Sequence, residues 1–170
     1  MNNISDKFTL IVDAMGGDFA PEEIIRGAVE GKDLTNSNLI LVGNETRIRN
    51  ILSEYGQNNS EDIKIVNSYH DVLMDDSPSD VLKQKKNSSI YIGTEIAAGN
   101  KNSAFISAGN TGAVMACSIF NMKRIEGIQR PAIAVVIPLG KSRFVLVDAG
   151  ANVEVKPLFF KQFAVMGKIY

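Results

Sequence analysis

Hydrophobic and polar positions follow one another along this chain in two rhythms, and the switches between them mark out its elements. Residues 8–12 form an unbroken apolar run, as expected of a strand covered on both faces. A glycine-bearing corner, Asp13-Ala14-Met15-Gly16-Gly17-Asp18, follows it. Pro21 at the first helical position, with Glu22 and Glu23 in the first turn, then predicts a helix. Its apolar face is Ile24, Ile25, Ala28 and Val29, and Gly31 is expected to end it. The cycle repeats, with residues 38–42 as a strand, Gly43 as its turn and Asn44 as a helix cap. Ile48, Ile51, Leu52 and Tyr55 fall at helical spacing before Gly56 closes the segment. Residues 58–62 read as loop and 63–66 as a short strand.

Residues 67–79 are polar and contain Pro78, which predicts a long loop of the kind that covers or lines a site. Ser79 and Asp80 stand where they could cap a helix through Val81 and Leu82 to Lys86. Ile92 and Ile96, four apart, mark another helix running to Gly99, with Gly93 as its weak point. Residues 104–106 then feed a second corner, Ser107-Ala108-Gly109-Asn110-Thr111-Gly112, and an apolar helical pattern leaves it over 113–120. The β-rich runs 132–137 and 143–147, joined by 138–142, predict an antiparallel hairpin. A third corner, Asp148-Ala149-Gly150-Ala151-Asn152, comes next. Pro157 opens a last helix with Phe159, Phe163 and Met166 on one side. Alternating strands and helices predict an α/β fold, a three-layer open sheet that is mostly parallel and made mixed by the hairpin. The last helix reaches Tyr170 without a capping signal, so the chain reads as one α/β domain, residues 1–170, belonging to the N-terminal part of a longer protein.

The totals narrow the function classes. A net charge of −1 offers no electrostatic case for nucleic acid or for an anionic membrane. One cysteine cannot form an internal disulfide, which suits a reducing compartment. The first seven residues lack the basic start and apolar core of a signal peptide, and no apolar run approaches the ~20 residues of a membrane span. A cytoplasmic location is expected. Neither the dinucleotide pattern G-x-G-x-x-G nor the nucleotide pattern G-x-x-x-x-G-K-[ST] occurs.

Each of the three corners follows a strand, where a parallel sheet binds its ligands. Together they would gather Asp13, Asp18, Asn110, Thr111, Asp148 and Asn152 around space lined by glycine. Backbone N–H groups at a helix start favour an anion, and Asn and Thr bond phosphoryl or carbonyl oxygens. Each corner can equally be a tight turn with a capping side chain; their shared style favours a site. Asp13 and Asp18 match no metal motif, Cys117 falls within an apolar helix, and His70 is the only histidine. Lys83, Lys85 and Lys86 form a basic cluster suited to a solvated helix face or, failing that, to an acidic partner or phosphate.

The corners also carry a resemblance. Residues 12–21, 85–89, 106–113, 127–132, 148–153 and 162–167 resemble the motifs of the PlsX family, the phosphate acyltransferases of bacterial phospholipid synthesis. The likeness runs the whole chain in order and corresponds to about the N-terminal half of the family's length. It implies a fold similar to isopropylmalate dehydrogenases and phosphotransacetylases. It also implies transfer of a fatty acyl group from acyl carrier protein to inorganic phosphate, with no cofactor or metal. Implied partners are acyl carrier protein, phosphate and a second copy in a homodimer, with peripheral membrane association and no nucleic acid. On this reading Asn110, Asp148 and Asn152 are the catalytic candidates. Asp13, Gly16, Gly17, Ser107, Gly109, Thr111 and Gly112 would hold phosphate or substrate. The alternatives are a non-catalytic fragment that binds phosphate or carrier protein, and a metal- and NAD-dependent decarboxylating dehydrogenase of the same fold.

Overall fold

The computed structural model describes residues 7–57 and 60–170. The readings of residues 1–6 as lacking a signal peptide, and of Asn58 and Asn59 as loop, fall outside the described residues. The chain divides into two compact units, Met1–Met122 and Lys123–Tyr170.

The first unit runs β1 (Thr9–Asp13), α1 (Glu22–Thr35), β2 (Asn38–Gly43), α2 (Glu45–Glu54), β3 (Ile63–Asn67), α3 (Pro78–Gln84), α4 (Ser89–Gly99), β4 (Ser103–Ile106) and α5 (Thr111–Met122). Its four strands are all parallel, in the order β3-β2-β1-β4. Side chains alternate across a strand, so Leu10 and Val12 face one way with Leu39 and Leu41. There they meet Ile25 and Val29 of α1 and Ile48, Ile51 and Leu52 of α2 in one core. Phe105, in register with Ile11, faces the other way and joins Val81, Ile90, Tyr91, Ala113 and Cys117. Helices thus cover both faces, as the alternation predicts. Each fully buried Leu or Ile contributes about 1.5–3 kcal/mol.

Local signals explain most element ends, and the departures have physical causes. Asn44 caps α2, its side-chain oxygen accepting the Arg47 N–H at 3.0 Å. Gly31 does not end α1. A glycine inside a helix costs only about 1 kcal/mol, so the helix runs on until Asn36 takes a left-handed conformation at φ 49°. The loop after β3 stops earlier than predicted because Pro78 opens α3, at a position that needs no N–H. Its cap is Ser77, whose hydroxyl oxygen accepts the Asp80 N–H at 3.2 Å, not Ser79 or Asp80. Gly93 lets α4 lie flush on the sheet, since a Cβ there would stand 2.3 Å from the Phe105 ring.

The second unit holds β5 (Ala134–Leu139), β6 (Ser142–Val147) and α6 (Pro157–Ile169). The hairpin closes around Gly140 and Lys141, with Leu139 opposite Ser142, and forms its own two-stranded antiparallel sheet. Phe159 and Phe163 of α6 are buried, and the Arg130 guanidinium lies over the Phe159 ring at 5.9 Å. The Gln162 side chain accepts from the Gln129 N–H at 3.1 Å and donates to the Gly127 carbonyl at 2.9 Å. The α/β class, the parallel sheet and the antiparallel hairpin are as predicted, with the hairpin as a sheet of its own. Among the described residues no helix is long and apolar enough to cross a membrane.

Candidate functional site

Parallel strands end on one edge, so the corners after β1, β2 and β4 share that edge of the first unit. Asp13, the last residue of β1, is fully buried. One carboxylate oxygen accepts the Met15 N–H at 3.1 Å and the other accepts the Ser107 hydroxyl at 2.7 Å. Ser107 Oγ in turn accepts the Gly109 N–H at 3.1 Å. This relay stitches together two corners that lie 94 residues apart in sequence. The backbones approach so closely that a Cβ on Gly16 would stand 2.3 Å from Asp13 Oδ2 and 2.9 Å from the Gly109 nitrogen. Gly17 has φ +125°, a conformation that side chains rarely adopt.

The relay uses up several of the predicted ligands. Asp13, the Ser107 hydroxyl and the Gly109 N–H are engaged with one another, and a buried carboxylate repels an anion placed beside it. Asn110 is spent as well. Its Oδ1 accepts the Ala113 N–H at 2.9 Å, which caps α5. Its Nδ2 donates to the carbonyls of Leu73, Met74 and Asp76 at 3.0, 3.1 and 3.0 Å. An amide with two hydrogens and three acceptors has no donor left for a reactant's oxygen. Thr111 and Gly112 differ: both are exposed, and as the first two residues of α5 their N–H groups have no acceptor within the helix. They sit at its positive end.

Residues 68–77, the part of the predicted 67–79 loop left between β3 and α3, are clamped. Besides the Asn110 amide, the Lys85 ammonium donates to Asp76 Oδ2 at 2.5 Å and to the Asp71 carbonyl at 2.9 Å. The Leu73 N–H adds a bond to the same Asp76 oxygen at 2.7 Å. The Lys85 bond, then the Leu73 N–H, holds the Asp76 carboxyl below the usual carboxylate range. Between this loop and the first corner lies a cavity of about 250 Å³, lined by Met15, Gly17, Asp18, Arg47, residues 71–74 and Gly109. Arg47 brings a cation to it, with the Glu22 carboxylate 4.0 Å away. The sequence reading missed both Arg47 and the role of Lys85. Arg47 was findable, because the first turn of a helix that follows a parallel strand reaches the same edge.

The third corner belongs to the second unit. Asp148 Oδ1 accepts the N–H groups of Ile133 and Ala151 at 2.8 and 3.2 Å. Its Oδ2 accepts the Asn152 N–H at 2.8 Å and the Asn152 amide at 3.0 Å, and that amide also donates to the Pro131 carbonyl at 3.0 Å. Burial pushes the Asp148 carboxyl up, but the bonds from Ile133, Asn152 and Ala151 outweigh it and hold it below its ordinary value. Asp148 and Asn152 therefore bind each other and their own unit's backbone. Of the remaining candidates, Asp18, His70, Lys83 and Lys86 are exposed. Cys117 is fully buried, and burial pushes its thiol up to about 11.

Comparison with known proteins adds a finding of another kind. Residues 8–170 match the model of a family described as fatty acid synthesis protein. The chain is 44% identical over 167 residues to a phosphate acyltransferase of Syntrophotalea carbinolica, covering 98% of this chain and 48% of that protein. It is 47% identical over 163 residues to a phosphate acyltransferase of Halothermothrix orenii, covering 95% and 48% respectively. The chain spans about half the length of the curated relatives it matches.

Proposed function

Because this chain belongs to the fatty acid synthesis protein family, we propose that it carries the phosphate-handling edge of a phosphate acyltransferase. The reaction is transfer of a fatty acyl group from the thioester of acyl carrier protein to inorganic phosphate. A phosphate oxygen attacks the thioester carbonyl carbon, the new C–O bond forms, and the C–S bond breaks with its electron pair leaving on sulfur. The products are acyl phosphate and the carrier thiolate, which takes up the proton that hydrogen phosphate gives up and becomes the thiol. Phosphate is already anionic at neutral pH and a thiolate leaves readily, so neither a protein nucleophile nor a strong base is required. Alignment and stabilisation of the negative charge on the former carbonyl oxygen are the demands that remain.

The observation that carries this reading is the opening of α5, where Thr111 and Gly112 are exposed residues whose N–H groups have no intrahelical acceptor and take no part in the Asp13–Ser107–Gly109 relay. We assign them the anionic oxygen. Arg47 supplies positive charge in the cavity beside Gly109. Gly16, Gly17 and Gly109 keep the corners close, Asp13 and Ser107 brace them, and Asn110 positions α5 and the clamped loop. Asp148 and Asn152 fix the corner of the second unit.

The test is Thr111→Pro. Proline is tolerated at a first helical position, so the substitution deletes one N–H and leaves the helix in place. Formation of acyl phosphate from acyl carrier protein thioester and phosphate, trapped as hydroxamate with hydroxylamine, should fall by roughly a hundredfold. Circular dichroism should stay unchanged. An unaltered rate would remove the α5 opening from the mechanism. The half-length match supports a second reading, a fragment that binds phosphate or carrier protein without turnover. Calorimetric binding of phosphate with no hydroxamate from the wild-type chain would favour it.

A further inference from the structure

The loop over residues 68–77 holds its backbone and its side chains in opposite circumstances. Its backbone is clamped from two sides, by the Asn110 amide on three carbonyls and by Lys85 on Asp76 and the Asp71 carbonyl. Two of the side chains on that clamped backbone are apolar and face water, Leu73 at 58% exposure and Met74 at 67%. Both border the 250 Å³ cavity, and so does Met15 from the first corner. Exposed apolar groups on a freely moving loop cost little and mean little. Held on a clamped backbone, Leu73 and Met74 join Met15 as the apolar part of a lining that also carries the charged Asp18, Arg47 and Asp71, a mixture suited to a ligand with a polar head and an apolar tail.

We propose that Leu73 and Met74, with Met15 in the cavity wall, seat the methylenes of the acyl chain being transferred. This rests on the acyl-transfer reading above. A straight alkyl chain suits the site better than a peptide side chain of fixed shape, because two of the three groups are methionines. Unbranched thioethers adapt to ligands of varying length. The carbonyl end of the chain would lie on the Gly109 side of the cavity, toward the opening of α5, and the tail would leave past Leu73 and Met74.

Alkylphosphonates provide the test, since each joins a phosphate-like head to an alkyl tail. Binding of inorganic phosphate and of methyl-, butyl- and octylphosphonate to this chain is measured by titration calorimetry. In the wild type, affinity should rise with tail length, by up to about fourfold per buried methylene. The double variant Leu73→Ser with Met74→Ser removes the apolar side chains and keeps the clamped carbonyls. It should reduce the gain from methyl- to octylphosphonate at least tenfold while leaving methylphosphonate affinity within twofold. Leu34→Ser, at a residue 87% exposed on α1, should leave the whole series unchanged. A gain that survives in the double variant, or that falls equally in Leu34→Ser, overturns the acyl seat while the phosphate reading stands. Failure of the wild-type chain to bind either phosphate or methylphosphonate overturns that reading, and the acyl seat with it.

Discussion

Each unit of this molecule turns a corner on an aspartate at the end of a strand, but Asp13 and Asp148 collect their partners from very different distances. Asp13 closes β1 in full burial and takes its hydroxyl donor from Ser107, 94 residues along the chain. Asp148 follows β6 half-buried and accepts four hydrogen bonds, the most distant in sequence coming from Ile133, 15 residues away. The surroundings differ in the same sense. The strand residues around Asp13 are sealed by helices on both faces, whereas Leu139, Phe160 and Ile169 of the second unit are 64, 63 and 81% exposed. The first corner is a product of the assembled sheet. The second is a local hub, and in its unit such polar bonding carries a larger share of the order.

The severest way to break the comparison is Gly16→Ala. The added methyl must displace either the Asp13 carboxylate or the Gly109 backbone, so the first unit should lose about 3 kcal/mol or more. Chemical denaturation followed by circular dichroism reads this loss, and an unshifted midpoint would mean that the two corners are not tied. Next in size is Asp148→Asn, which turns an acceptor into a donor facing other donors. The second unit should lose about 1–3 kcal/mol and the first unit none, as resolved by amide exchange in the two units. The same variant carries a pH signature. A carboxyl held below its ordinary value stabilises fully above that value, about 3.9, and the contribution disappears as pH falls through the lower folded value. The wild-type second unit should therefore loosen in that acid range, with Asp148→Asn showing less of this loss. The smallest effect is expected from Lys85→Met, where amide exchange across residues 71–76 should quicken while the global unfolding midpoint holds.

What could be read from the sequence follows the same division. Apolar runs announced β1, β2 and β4, and Asn44 announced α2, because burial and capping act within a few residues. Gly31 and Pro78 misled, since each residue breaks a helix in one position and is tolerated in another. The corners were legible as glycine-bearing turns, but the spending of Asp13, Ser107 and Asn110 on one another and on a distant loop was not. The amide of Asn110 reaches carbonyls 34 to 37 residues back, and Lys85 reaches Asp76 from the far end of α3. Pairings of that kind leave no period and no motif. Only the folded chain reveals which polar groups remain free to act.

The bond between Asp13 and Ser107 also sets an order of events as the chain is made. β1 and β2 can pair soon after both leave the ribosome, yet the carboxylate at the tip of β1 must wait for almost the whole first unit before its hydroxyl partner emerges. Until then the charge stays hydrated at an unfinished sheet edge. Closure of that edge is therefore among the last steps in building the first unit, and a ribosome stalled before residue 107 would hold a chain whose site has not yet come into being.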